Sequence, residues 1–216
     1  MNNLLVLPMV LPLIVGIVLI FLRPFIVTQR VISLLTMVVT FGISLYLLIE
    51  AQQSGIVTLD FGDWAAPFGI TFVGDSFSLL LVTTAYLIAS ISLLYVFSSI
   101  GEEKERMFVY PLILLLLAGV ACSFLTGDLF NLYVGFEVML LASYALIVLG
   151  GEKGQLRESI KYVLVNVFFF IYFLNRYCLL IRCTWHIKLC SFICTYCRSR
   201  TNTDSYNNRH YLFTCL

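Results

Sequence analysis

Apolar residues fall in uncharged runs separated by short charged breaks. Each run has about the 20 residues that a helix needs to span a hydrocarbon core. Five runs are complete: Met1 to Leu22, Val31 to Ile49, Ser76 to Ile100, Met107 to Gly127, and Leu129 to Leu149, the last interrupted by one acid, Glu137. A sixth begins near Tyr162 and reaches only Leu174 before Asn175 and Arg176. No positive residue precedes the first run, it has no small-residue cleavage site, and Arg23 and Arg30 follow it, so it reads as a retained helix rather than a removed signal peptide. The break from Glu50 to Asp75 is the long one, and apolar and polar residues alternate there through Val57, Thr58, Leu59, Asp60 and Phe61, as in a short hairpin. Its acids, Glu50, Asp60, Asp63 and Asp75, read as solvated loop charge, with Asp75 and Ser76 suited to cap the third span.

Composition supports the membrane reading. Of the 216 residues 61% are hydrophobic and 12% charged, against about 25% charged in a soluble domain, which excludes a soluble globule. A net charge of +1 supplies no basic field for nucleic acid. Up to residue 161 the Lys and Arg residues fall in alternate loops: Arg23 and Arg30 in the first, Lys104 and Arg106 in the third, Lys153, Arg157 and Lys161 in the fifth. Basic loops stay on the cytoplasmic side, so these three face the cytoplasm and the N-terminus lies outside.

One residue is expensive. Glu137 lies eight positions from Leu129 and twelve from Leu149, about 12 and 18 Å from the ends of its helix at 1.5 Å per residue. An acid at that depth costs roughly 2.5 to 3.5 kcal/mol on insertion scales, and such residues usually face a bundle interior or a wet cavity. Desolvation favours a neutral carboxyl and a nearby ammonium favours the carboxylate, so a carboxyl group with a cationic partner can load and release a proton. The structural alternative is a protonated side chain hydrogen-bonding near Tyr133 or Tyr144, which share its helix face. No Lys or Arg lies within the uncharged spans up to residue 168, so the partner must come from another helix or another subunit. Asp128, in the turn Gly127-Asp128, reads as the cap of the fifth helix, with proton entry as the sharper alternative. Lys161 reads as an interfacial anchor, with a place on the proton path as its alternative.

The string Gly127-Asp128-Leu129-Phe130-Asn131-Leu132-Tyr133-Val134-Gly135-Phe136-Glu137-Val138-Met139-Leu140, continuing to Ser143-Tyr144-Ala145-Leu146, resembles the fifth helix of the proton-translocating antiporter-like membrane subunits. That family joins the D subunit of Mrp-type multisubunit sodium/proton antiporters with the large membrane subunits of respiratory complex I. The Asp-Leu-Phe-Asn-Leu-Tyr-Val stretch, Ser-Tyr-Ala-Leu and Glu158-Ser159-Ile160-Lys161-Tyr162-Val163-Leu164 are more similar to the Mrp D subunit. The resemblance covers residues 1 to about 168. It implies that Glu137 is the proton-handling acid, paired in the family with a lysine on a later broken helix that this sequence lacks.

From Phe169 onward the composition switches. These 48 residues hold six Cys, five Phe, five Tyr and six basic residues, but no Gly, Ala, Val, Pro, Glu, Gln or Met. Twenty-six of them are Phe, Leu, Ser, Tyr, Cys or Trp, the amino acids that have codons beginning with uracil, whereas amino acids with guanine-first codons appear once, as Asp204. Apolar residues are read largely from codons with uracil in second place, and a one-base shift moves that uracil to the first. The expectation is a frameshift near residue 168, a poorly ordered tail over 169–216, and a frayed sixth helix. Arg176, Arg182, Lys188, Arg198, Arg200 and Arg209 would also lie on the outer side, against the usual bias. Cys190, Cys194 and Cys197 form a C-x3-C-x2-C spacing that resembles the cluster triad of radical SAM enzymes, but that family needs a large α/β barrel, and six Cys in 48 residues make chance spacing unsurprising.

The sequence therefore predicts an all-α polytopic membrane bundle, with five secure transmembrane helices and a damaged sixth, in a plasma or bacterial inner membrane. Residues 1–168 form the N-terminal portion of an antiporter-like subunit that partners other membrane subunits, the lipid bilayer, protons and a monovalent cation, and that does not transport alone. It is a transporter rather than an enzyme. Neither a nucleotide-binding glycine loop, a His/Cys metal site nor a nucleophile triad occurs in that portion, so no cofactor or metal is expected. The alternatives are a proton-pumping membrane subunit of respiratory complex I and a scaffold that moves no ions.

Overall fold

A computed structural model of the chain describes residues 2–22, 24–60, 70–101, 105, 107–151 and 153–184. A 3-10 turn over Asn2–Val6 leads into helix α1 (Leu7–Phe21). Pro8 sits in the first turn, where a missing N–H is harmless, but Pro12 lies inside the helix and removes the donor that would reach the Pro8 carbonyl. The hydroxyl of Tyr86, a fully buried side chain on another helix, donates to that carbonyl instead, at 2.5 Å.

Helix α2 (Ile26–Ser54) begins ahead of the expected Val31, so Arg30 is helical rather than a loop charge. The reason lies far away in sequence: its Nη2 donates to Glu105 Oε1 and Oε2 at 2.7 Å each and its Nε to Oε2 at 3.1 Å. The Glu105 side chain is wholly enclosed, and Arg30 also lies over the Phe97 ring at 5.9 Å. A charge so paired does not have to end a helix. Gln29 Nε2 donates to Leu22 O at 3.1 Å, a second bond to a carbonyl at the end of α1 that also accepts from Phe25 N at 3.1 Å. Ser33, Thr36, Thr40 and Ser44 form a buried stripe on α2, each hydroxyl donating to a carbonyl three or four residues back. Small self-satisfied polar residues of this kind let helices approach closely in lipid.

The predicted hairpin is present. β1 (Val57–Asp60) pairs antiparallel with β2 (Thr71–Gly74), Val57 opposite Gly74 and Asp60 opposite Thr71. Asp75 caps α3 (Ser76–Ser99) as the sequence suggests: its carboxylate accepts from Ser76 N at 2.8 Å, and Asp75 N donates to Ser78 Oγ at 3.0 Å.

Helix α4 (Val109–Leu125) is shorter than its uncharged run, because Phe108 before it has a left-handed backbone with φ of 67° and Thr126 after it is extended. It lies at the centre of the bundle, with Pro111, Leu114, Leu117, Ala118, Ala121 and Leu125 buried. Helix α5 (Leu129–Val148) matches its expected bounds within a residue. Helix α6 runs over Lys153–Thr184, starting ahead of Tyr162 and passing residue 168 and Leu174 without a break. Charge over residues 153–161 sets where lipid begins, not where a helix begins, and Lys, Gln, Leu, Arg and Glu are all good helix formers. Residues 185–216, which carry most of the predicted aberrant tail and the Cys190, Cys194 and Cys197 spacing, lie outside the described residues.

Among the described residues, five helical stretches are long and apolar enough to cross a membrane: Leu4–Phe21, Ile26–Gln53, Ser76–Ser99, Leu129–Val148 and Gly154–Arg176. The fifth of these is the sixth run of the sequence, and α4 stands apart as a shorter apolar helix of 17 residues. The architecture is thus an all-α membrane bundle with one small hairpin. Its outward side chains, among them Leu35, Phe77, Ile91, Phe168 and Phe169, are large, apolar and exposed, as lipid-facing or subunit-facing surface must be.

Candidate proton site

The position of Glu137 follows from a contact two residues before it. Helices α4 and α5 cross where Gly119 meets the backbone of Gly135 and Met139. A Cβ added at Gly119 would lie 2.7 Å from Met139 N and 3.0 Å from Gly135 O, and one added at Gly135 would lie 2.9 Å from Ser123 Oγ. Only glycine permits that approach. Gly135 and Ala142, the buried residues of α5, are seven apart and share the face turned to α4. At about 100° per residue, Tyr133, Glu137 and Tyr144 fall within about 40° of one another on the opposite face. The tight crossing therefore points Glu137 away from α4.

On that side stands α6. The Tyr133 ring stacks on Phe170 with centroids 4.5 Å apart, and Tyr144 meets Tyr162 edge-on at 5.6 Å. Glu137 is half-buried in the seam between these ring pairs. Its carboxylate interacts with the Tyr133 hydroxyl one turn away, and Tyr144 also feels its charge. These are the two neighbours the sequence suggests. The ion pairs among the described residues are Arg30 with Glu105 and Lys161 with Glu158, so Glu137 has no cationic partner there.

The other two predicted residues are not brought to Glu137. Asp128 is buried at the start of α5, where its Oδ1 accepts from Phe130 N at 3.2 Å in the predicted cap. Its own N–H donates to Thr126 Oγ1, and Asn131 Nδ2 donates to the same oxygen, each at 3.2 Å. The turn is docked on the hairpin, with Gly127 N donating to Thr71 O at 3.0 Å and Phe72 bridged to Thr126. Asp128 lies about 13 Å from Glu137 along the helix axis. Lys161 Nζ, exposed on α6, donates to Glu158 Oε1 at 2.7 Å, an ordinary one-turn surface pair.

Sequence reasoning missed two groups. Asn166 lies on α6 between Tyr162 and Phe170, and its amide nitrogen is enclosed without a hydrogen-bond partner among the described residues. An uncharged run hides such an amide, although an Asn within lipid is itself a signal. Glu105 sits in a stretch reading Glu102-Glu103-Lys104-Glu105-Arg106, and nothing local marks it as the one buried. Among the described residues no group of three or more His, Cys, Asp or Glu could hold a metal ion.

No family model matches the chain. Curated relatives do. The chain is 50% identical over 174 residues to a protein of Alkalihalophilus pseudofirmus named as the D subunit of a Na(+)/H(+) antiporter, covering 81% of this chain and 35% of that one. It is 47% identical over 167 residues to the protein of the same name from Bacillus subtilis, covering 77% of this chain and 34% of the other. Among solved structures, that of the Mrp complex from Dietzia sp. DQ12-45-1b superposes with a TM-score of 0.81 at 26% identity, over 87% of this chain and 35% of the matched one. The chain spans about a third of the length of the curated relatives it matches. The chain is thus related to the D subunits of Na(+)/H(+) antiporters and corresponds to their N-terminal part.

Proposed function

We propose that this chain contributes part of the proton path of a multisubunit cation/proton antiporter in the cell membrane, with Glu137 as the carrier. One observation carries the reading: the midspan carboxyl group faces away from the tight α4 crossing, into the α5–α6 seam, with no cation beside it among the described residues. A structural acid would be expected where packing is closest and hydrogen bonds are complete. A carrier needs room on one side for a charge that comes and goes.

In this scheme Glu137 accepts a proton from one half-path as the neutral acid and releases it as a carboxylate when a cationic side chain approaches from the α6 side. That side chain belongs to a helix beyond those described or to another subunit. Sodium or a similar monovalent cation moves in exchange, driven by an ion gradient. The side of the bundle that carries Arg23, Arg30, Lys104, Arg106, Lys153, Arg157 and Lys161, in loops and at helix ends, faces the cytoplasm, and the hairpin faces outside. Asp128 holds the outer end of α5 against the hairpin, and Lys161, paired with Glu158, marks the cytoplasmic mouth of the seam.

The test is Glu137→Gln in the chain carried at its relatives' length within an assembled complex. Gln keeps the shape and hydrogen bonding but has no proton to release. Cation-dependent proton flux into everted vesicles is expected to vanish while insertion is unchanged. Flux that persists at the original rate would leave Glu137 only a structural role.

A further inference from the structure

The two ring contacts that flank Glu137 fix how α6 lies against α5. Tyr133 meets Phe170 and Tyr144 meets Tyr162, so the helices run antiparallel, and the α6 residue level with Glu137 lies between positions 162 and 170. Tyr162, Asn166 and Phe170 are spaced by four and share one face of α6. Asn166 therefore lies between the same two ring pairs as Glu137, within about a turn of its level.

Its amide nitrogen is shut off from solvent and lies outside strict hydrogen-bond geometry to any described group, although the side chain comes close enough to the Tyr144 hydroxyl to interact with it. An amide N–H in hydrocarbon is costly until something accepts it. The titratable groups facing this point are Tyr133, Glu137 and Tyr144 of α5 and Tyr162 of α6. Cys122 of α4 abuts Gly135 on the far side of α5, and Lys161 is engaged by Glu158. Of these, the carboxyl group of Glu137 is the strongest acceptor.

We propose that Asn166 is a positioning residue for Glu137, donating an amide N–H to a carboxyl oxygen and so holding the carboxyl group in the α5–α6 seam rather than letting it fold back onto its own helix. The inference rests on the reading of Glu137 as the proton carrier. A carrier held in place presents the same oxygen to donor and acceptor in every cycle, which is what short-range proton transfer needs.

Infrared spectra of the chain in lipid bilayers, recorded at acid and at alkaline pH, test both layers separately. The Glu137 carboxyl band is assigned by its loss in Glu137→Gln. In Asn166→Leu, which keeps the size and removes the donor, the carbonyl stretch of Glu137 is expected to move to higher wavenumber, as it does when a hydrogen bond is lost. In Asn166→Gln, which keeps the amide, most of that shift is expected to disappear. A band that stays in place in Asn166→Leu overturns the positioning role and leaves the carrier reading intact. So does a shift that Asn166→Gln fails to reduce, because packing rather than the amide would then set the band. Absence of any pH-dependent band that Glu137→Gln removes overturns the carrier reading itself.

Discussion

Replacing Tyr86 by Phe removes one oxygen atom from the bundle core and exposes how α1 tolerates its inner proline. The Pro8 carbonyl lacks its helical donor because Pro12 has no N–H, and the Tyr86 hydroxyl replaces that donor at 2.5 Å. Tyr86 is 1% exposed, so no water can take the place of the lost hydroxyl, and the ring that remains keeps the packing. A buried carbonyl left without a donor costs about 1–3 kcal/mol in general. Hydrogen bonds inside membrane proteins run lower, with an average of about 0.6 and a maximum of about 1.7 kcal/mol. The carbonyl here has no alternative helical donor, which places Tyr86→Phe near the upper end, at about 1–2 kcal/mol, or roughly 5- to 30-fold in the folded-to-unfolded ratio. The sharper measurement is the double-mutant cycle with Pro12→Ala. That substitution restores the N–H that reaches Pro8 O, so Tyr86→Phe should cost less in its background, by about 1 kcal/mol. Equilibrium unfolding in mixed micelles reads both numbers. A Tyr86→Phe cost that is the same with and without Pro12→Ala would refute the argument, since the hydroxyl would then not be standing in for the missing amide.

Three further outcomes follow from other parts of the bundle. Arg30→Met is expected to destabilise the fold by about 3 kcal/mol in the same assay, because it leaves the enclosed Glu105 carboxylate without its cation, whereas adding Glu105→Leu should recover much of the loss; equal costs for the single and double variants would contradict this. Gly119→Ala drives a methyl group against Met139 N and should cost about 1–3 kcal/mol, while Gly42→Ala on α2, where a Cβ meets nothing within 4 Å, should be neutral or slightly stabilising. Resequencing the DNA across codons 160 to 180 should reveal a second frame that continues with an apolar helix and later an intramembrane lysine. If no frame does so, the composition switch at Phe169 is genuine.

The parts of this structure that are legible in the sequence are those set by solvent, because lipid imposes its rule on every residue of a span. The runs from Ser76 and from Leu129 form α3 and α5 within a residue of their expected bounds, and Asp75 and Asp128 are the caps the sequence suggests because capping is local chemistry. What stays hidden depends on contacts far apart in the chain. Arg30 reads as a loop charge until Glu105, 75 residues away, is seen to pair with it. The early start of α6 is hidden for a different reason: charge marks the edge of the bilayer and not the end of a helix. At the candidate site, Glu137 announces itself by its cost, while Asn166 does not, since its place across the seam follows from a register that only the Tyr133–Phe170 and Tyr144–Tyr162 contacts define.

The crossing of α4 and α5 also decides which parts of the site are free to move. With Gly119 against the backbone of Gly135 and Met139, any turn of α5 about its axis brings a side chain into the space that two glycines leave, so α5 has almost no rotational freedom of its own. Among the described residues α6 meets α5 through the Tyr133–Phe170 and Tyr144–Tyr162 ring pairs, with no glycine crossing of that kind. On the reading proposed for Glu137, a change in which side reaches the carboxyl group runs through two coordinates, the χ angles of the glutamate and the displacement of α6. In that reading the carboxyl-bearing helix is the stator, and the helix across the seam is the part that yields.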